Sequence, residues 1–259
     1  MIVTYSSLKG GVGKTSLSIL TATNLAARGK KVLFFDLDPN NSGSMFFLEG
    51  IVEDDIIEQK NVFHALSNNR IKDYVIPTKI TNVDIVPSHL NIFKLRGIGV
   101  NELKKTLKED NIEGYDYIVI DTAPTYDNIV INAIRAADII ITPFELTKFN
   151  ITTTSFLRQS LYDDCPEKIN SWYLLTNFWE DKLARFDTSA QTQFMNMFEK
   201  LFTNILTTKI PKAAITKNYV TTGEKIRLDS KQPVVKRLAE EMNKFCDMLT
   251  AEENQVMEF

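Results

Sequence analysis

Lys9-Gly10-Gly11-Val12-Gly13-Lys14-Thr15 puts three glycines, two lysines and a hydroxyl within seven residues. Glycines so spaced let the backbone curl until successive N–H groups point inward at a chain of phosphates. Lys14 is then placed to reach β- and γ-phosphates, and the Thr15 hydroxyl to ligate Mg²⁺, with Ser16 continuing the same turn. These residue types in this order make a phosphate-binding loop. The usual pattern asks for one more glycine, where Leu8 stands here. Lys9 also departs from it, adding a cation at the loop's start where a bound triphosphate would concentrate negative charge a few ångströms away.

Such a loop needs a strand in front of it and a helix N-terminus behind it. Met1 to Tyr5 reads as that strand, and Leu17, Leu20, Leu25 and Ala26 carry the helical spacing that follows. Further strands are expected at Lys31–Asp36, Val83–Val86, Tyr115–Asp121, Ile139–Thr142, Trp172–Leu175 and Ile205–Ile210. Helices are expected over 15–28, 99–109, 127–136, 150–162, 187–202 and 233–249, with surface helices and loops in the less regular 45–82. Continuous apolar strands alternating with helices predict an α/β fold: a mainly parallel, twisted central sheet flanked by helices on both faces. With no linker-like stretch or repeat, one P-loop domain over 1–259 is expected.

Two of these strands end in acid. In Phe34-Phe35-Asp36-Leu37-Asp38-Pro39-Asn40 a pair of carboxylates falls at the strand's C-terminal end, where open α/β sheets present ligand groups. Asp38, further into the loop, is the better placed to orient a water for in-line attack on a γ-phosphate. In Tyr117-Ile118-Val119-Ile120-Asp121-Thr122-Ala123-Pro124 the aspartate closing the apolar run is placed to hold Mg²⁺ directly or through water. The metal candidates are thus Thr15, Asp38 and Asp121.

The bulk numbers exclude more than they assign. The chain has 259 residues, 44% apolar and 24% charged, with a net charge of −3, so overall charge argues neither for nor against nucleic acid. Cys165 and Cys246 lie far apart and suggest neither a disulfide framework nor a metal site. The first strand starts at residue 2, so neither a leader nor an N-terminal helix-turn-helix extension is expected, and a cytoplasmic location follows.

Together, the Lys9–Thr15 loop, Asp36-Leu37-Asp38-Pro39 and Ile120-Asp121-Thr122-Ala123-Pro124 resemble the deviant-Walker ATPases of the ParA/Soj/MinD superfamily, closest to its ParA/Soj branch. The likeness extends through Leu175-Thr176-Asn177, Ile210-Pro211 and the final helix with Leu238-Ala239-Glu240-Glu241. It implies ATP and Mg²⁺ as cofactors, with Gly10 to Ser16 around the phosphates and Asn177 and Pro211 framing the adenine. Lys9 matches the lysine that reaches the partner's nucleotide in an ATP-bound homodimer, and Gly11 the glycine that lets two subunits close. Lys9, Lys14 and Asp38 carry the catalytic roles. Asn40 and Ala123 depart from the commoner glutamine and proline without removing a group the chemistry needs.

The resemblance further implies slow hydrolysis, nonspecific double-stranded DNA as a partner, nucleoid association, and a ParB-type centromere-binding protein as activator, in plasmid or chromosome partition. From Lys182 to Lys244 there are 12 Lys or Arg against six Asp or Glu. Lys182, Arg185, Lys212, Lys217, Arg227 and Lys236 are the DNA-contact candidates. The alternative is a MinD-like relative that positions membrane or protein cargo. The acidic tail from Ala251 to Phe259 argues against anionic lipid, so no membrane partner is expected.

Overall fold

The apolar runs form the middle of a sheet because helices cover them from both sides. A computed structural model describes residues 1–180, 188–214, 216, 219 and 232–256. The strands are β1 (Ile2–Tyr5), β2 (Val32–Leu37), β3 (Ile76–Pro77), β4 (Val83–Val86), β5 (Tyr117–Thr122), β6 (Ile139–Phe144), β7 (Trp172–Trp179) and β8 (Ile205–Pro211). The described α-helices include α1 (Lys14–Ala27), α2 (Ser42–Leu48), α3 (Asp54–Gln59), α4 (Val62–Ser67), α5 (Glu102–Glu109), α6 (Asn128–Ala136), α7 (Lys148–Asp164), α8 (Thr188–Leu201) and α9 (Pro233–Val256).

The strands lie in the order β3-β4-β2-β5-β1-β6-β7-β8. Every pairing is parallel except β3 with β4, where Ile76 faces Ile85 antiparallel at the sheet's edge. Alternate residues of a strand face opposite layers, and the packing follows that alternation. Phe34 joins Leu17, Leu25, Phe47 and Phe245 on the side of α1, α2 and α9. Leu33 and Phe35 join Leu66, Leu103 and Ala133 on the side of α4, α5 and α6. At β6 and β7, Ile140 and Leu174 pack with Val130, Leu157 and Phe198 of α6, α7 and α8.

Register sets the height of the chemistry. Tyr5 pairs with Asp121, and Asp121 pairs with Asp36, so β1, β5 and β2 end at one level. Beyond that level the chain turns into the loop before α1 and the loop before α2.

The expected elements form at their expected places with ends shifted by a few residues, most of all at β7, which runs on to Trp179, and α9, which runs on to Val256. The segment 45–82 needs correction. It is not only surface: Phe46, Phe47 and Leu48 of α2 and Val62, Ala65 and Leu66 of α4 are buried in the core, as is Ile71. Of the helical pieces there, α3 and the single 3-10 turn Lys72–Tyr74 carry no buried residue.

Candidate functional site

Between β1 and α1 the backbone takes the left-handed conformation twice, at Gly11 (φ 77°) and Gly13 (φ 93°). Gly13 is also the N-cap of α1, which has no side-chain cap and no acid in its first turn. The first N–H groups of that helix therefore have no intrahelical acceptor and face outward with the positive end of the helix dipole. They open on a cleft of about 430 Å³ lined by Gly10, Gly11, Gly13, Lys14, Thr15 and Ser16. Asp38, Asn40 and Pro124 complete one side of it, and Asn177, Phe178 and Pro211 the other.

The loop is braced from β7. Asn177 Nδ2 donates to the carbonyl of the buried Val12 at 2.8 Å. A Cβ on Gly13 would lie 2.3 Å from that Nδ2, so the brace fits only against glycine. The neighbour Phe178 has φ 55°, rare for an aromatic residue, and its N–H donates to Asn177 Oδ1 at 2.9 Å. The β7–β8 pairing shifts register between Thr176 and Trp179, which turns these two side chains toward the loop.

Beneath the loop lies a charge cluster poor in cations. Lys14 is buried, with Nζ 3.3 Å from the carbonyl of Ser7. Burial lowers its proton affinity, while Asp121 and Asp38 raise it. Asp36 is fully buried and accepts from the Ser44 N–H and hydroxyl, both at 2.7 Å, and from the Asp38 N–H at 3.1 Å. Burial still pushes its carboxyl up to about 6. Asp36 is thus an anchor for the turn and not a wall of the cleft. Asp38 does line the cleft, its Oδ1 accepting the Asn40 N–H at 2.9 Å.

Asp121 is fully buried, and among the described residues neither of its oxygens has a hydrogen-bond partner of ordinary geometry. Burial and then the Asp36 charge hold its carboxyl well above the usual range, while the nearby Thr15 hydroxyl and Lys14 oppose the shift. An orphaned carboxylate beside a hydroxyl is the donor set a Mg²⁺ ion accepts, since that ion takes one or two carboxylates and completes its shell with water and phosphate oxygens. Among the described residues no group of three or more His, Cys, Asp or Glu could hold a metal alone. A metal at this place would rest on Thr15 and Asp121, with the phosphates supplying the rest.

The other expected residues divide. Lys9 is exposed and is not part of its own cleft's wall. Asn177 and Pro211 line the cleft. Lys212 pairs with Glu180 at 2.7 Å, and Lys236 is exposed on α9. Lys182, Arg185, Lys217 and Arg227 lie outside the described residues. Sequence reasoning missed Ser7, Ser44 and Phe178: their roles are a carbonyl under Lys14, a hydroxyl on Asp36 and a positive φ, none of which leaves a spacing signal.

A glycine loop opening α1 from the central strand, backed by a carboxylate at the end of the neighbouring parallel strand, defines a P-loop nucleotide-binding protein. Residues 1–163 match the AAA_31 family, described as an AAA domain. The chain is 30% identical over 218 residues to the virulence plasmid ParA family protein pGP5-D of Chlamydia muridarum, covering 80% of this chain and 77% of that one. It is 32% identical over 168 residues to the chromosome partitioning protein ParA of Myxococcus xanthus, covering 62% and 57%. A plasmid partition protein of Borrelia burgdorferi, solved with AMPPNP, superposes with a TM-score of 0.76 at 24% identity over 95% of this chain and 98% of that one. The chain belongs to the ParA/Soj-type P-loop ATPases.

Proposed function

We propose that this chain is a slow, Mg²⁺-dependent partition ATPase that works as an ATP-closed homodimer on nonspecific double-stranded DNA, in the cytoplasm and on the nucleoid. The observation that carries this reading is the division of labour between two lysines five residues apart. Lys14 is buried inside its own cleft, whereas Lys9 is exposed outside it. A cation at the mouth of an anion site has its best partner on a second copy facing it, where the partner subunit's Lys9 would meet this subunit's triphosphate.

The chemistry follows from the cleft's own groups. The α1 N-terminus and Lys14 bind and orient the β- and γ-phosphates. Asp38 holds a water in line with the γ-phosphate and takes up its proton as the water oxygen bonds to the γ-phosphorus and the bond from that phosphorus to the β–γ bridging oxygen breaks, with ADP as the leaving group. When bound, Mg²⁺ would supply neutralisation of the phosphate charge, held by Thr15 and Asp121. Asn177, Phe178 and Pro211 bound the far end of the cleft, where an adenine would lie.

ATP drives DNA binding only to the extent that it favours the dimer, which doubles and aligns the basic surface. A ParB-type protein fits as the activator of the slow step. The test is retention on random-sequence duplex DNA with ATP, with ADP and without nucleotide, across a salt series. ATP-dependent retention that weakens steeply with salt supports the reading. Equal retention in all three states, or none, overturns the DNA part of it.

A further inference from the structure

Asp38 edges the nucleotide cleft, and what holds it there lies one layer deeper. Its N–H donates to Asp36 Oδ1 at 3.1 Å, its carbonyl accepts the Asn41 N–H at 2.9 Å, and its Oδ1 accepts the Asn40 N–H at 2.9 Å. The bonds to Asn40 and Asn41 close the turn on itself, whereas the bond to Asp36 ties the turn back to the end of β2. The orientation of the buried Asp36 carboxylate therefore sets where the turn sits.

Ser44 sets that orientation. Asn41, the residue before α2, makes no side-chain cap, and the Ser44 N–H in the first turn of that helix finds Asp36 Oδ2 instead, at 2.7 Å. The Ser44 hydroxyl donates to the same oxygen at 2.7 Å, which leaves Oδ1 to the Asp38 N–H. Ser44 Oγ also accepts the Ser88 N–H at 2.8 Å, just beyond the end of β4. One hydroxyl thus joins β2, α2 and the chain leaving β4. Little slack surrounds it: Ser44 is 1% exposed, and Asp36 and Ser88 are fully buried. A Cβ on Gly43 would lie 2.8 Å from Phe34 Cε1 and 3.1 Å from Asp36 Oδ2, so α2 approaches the carboxylate this closely only with glycine there. Buried donors and acceptors of this kind have no water to turn to when a partner is lost.

We infer that Ser44 is a positioning residue for hydrolysis, its hydroxyl fixing the Asp36 carboxylate and through it the Asp38 turn. Ser44 is not among the residues lining the nucleotide cleft, so it acts on the rate of the chemical step and not on ATP binding. Without the hydroxyl, Asp36 Oδ2 keeps one donor in place of two, and the buried Ser88 N–H loses its acceptor. The carboxylate is then free to swing, and Asp38 leaves its line with the γ-phosphate; misplacement by about 1 Å costs on the order of a hundredfold in rate. The effect on turnover rests on the hydrolytic role proposed above for Asp38; the hold of Ser44 on the Asp38 turn does not.

The test compares the full chain with Ser44→Ala, Ser44→Cys, Asp38→Ala and the double variant Ser44→Ala/Asp38→Ala. Ser44→Cys replaces the hydroxyl by a weak donor of similar size and repeats the test should the alanine variant not fold. Val83→Ala, which empties a buried site on β4, controls for a mere loss of stability. Turnover of MgATP gives kcat and KM, and amide hydrogen exchange by NMR is read at Asp38 against the amides of β5. The proposal expects loss of the hydroxyl to lower kcat by about tenfold or more with KM unchanged. It also expects faster exchange at the Asp38 N–H, and no further fall in kcat when Ser44→Ala is added to Asp38→Ala. A wild-type kcat without the hydroxyl, an equal fall in Val83→Ala, or a full further fall in the double variant overturns it. Asp38→Ala protein that turns over at the wild-type rate refutes the hydrolytic reading, and exchange still decides the hold: an Asp38 N–H as protected without the Ser44 hydroxyl as with it overturns that too.

Discussion

Two glycines of the phosphate loop look alike in sequence, and replacing each by alanine separates what the loop owes to backbone freedom from what it owes to the β7 brace. Gly11 has φ 77° and nothing within 4 Å of the place a Cβ would take. Gly11→Ala therefore incurs only the left-handed backbone cost, about 1 kcal/mol. Gly13 has φ 93°, and its Cβ would meet Asn177 Nδ2 at 2.3 Å. Gly13→Ala incurs the same backbone cost and must also expel the amide, losing its bond to the Val12 carbonyl. A lost hydrogen bond with a buried acceptor left behind costs about 1–3 kcal/mol, for a total of about 2–4 kcal/mol. In a chain of this size about 1 kcal/mol lowers Tm by roughly 2–4 °C. Differential scanning calorimetry should show a loss of roughly 2–4 °C for Gly11→Ala and at least twice that for Gly13→Ala. ATP titration by calorimetry should show the larger loss of affinity for Gly13→Ala. Adding Asn177→Ala removes the colliding group, so the double variant should lose less than the two single losses combined. Equal single effects, or strict additivity, would refute the brace.

Other perturbations act on the charges. Lys14→Ala should abolish ATP binding, read by fluorescent-nucleotide titration, because it leaves the buried carboxylates without their cation; binding within tenfold of wild type would contradict that role. Asp38→Ala should retain ATP and lengthen the life of the ATP-bound, DNA-bound state while phosphate release falls at least fiftyfold; rapid turnover would remove Asp38 from the reaction. Asp36 holds its proton more tightly folded than unfolded, with the carboxyl raised from 3.8 to about 6. The folded chain binds the extra proton in that window, so its stability falls as pH rises through it, by about 3 kcal/mol in full. Urea unfolding from pH 4 to 7 should show a shallower slope in Asp36→Asn than in the wild type, the slope that stays coming from Asp121, whose carboxyl is also raised, and parallel curves would exclude it.

The parts of the fold legible in sequence are those whose physics is local. β1, β2 and β5 are buried on both faces, so their apolar runs are continuous, and Asp36 and Asp121 stand out at the ends. Segment 45–82 was opaque because α2, α3 and α4 span only seven, six and six residues, too short to show a period. β3 is a two-residue edge strand ending in Pro77, which sequence gives no reason to pair. In the site, Lys14, Thr15 and Asp121 announce themselves by type and spacing. The hold of Ser44 on Asp36 and of Asn177 on Val12 does not: each joins residues brought together only by the sheet, the second across 165 positions.

The most direct test of the central claim, that one subunit's cleft is completed by the other's Lys9, is light-scattering mass after size exclusion of Asp38→Ala protein, with and without Lys9→Ala, in MgATP and in MgADP. The account predicts a dimer for Asp38→Ala in MgATP alone, and a monomer that still binds ATP once Lys9→Ala is added. A dimer that persists without Lys9, or loss of ATP binding by the monomer when Lys9 is removed, would contradict it.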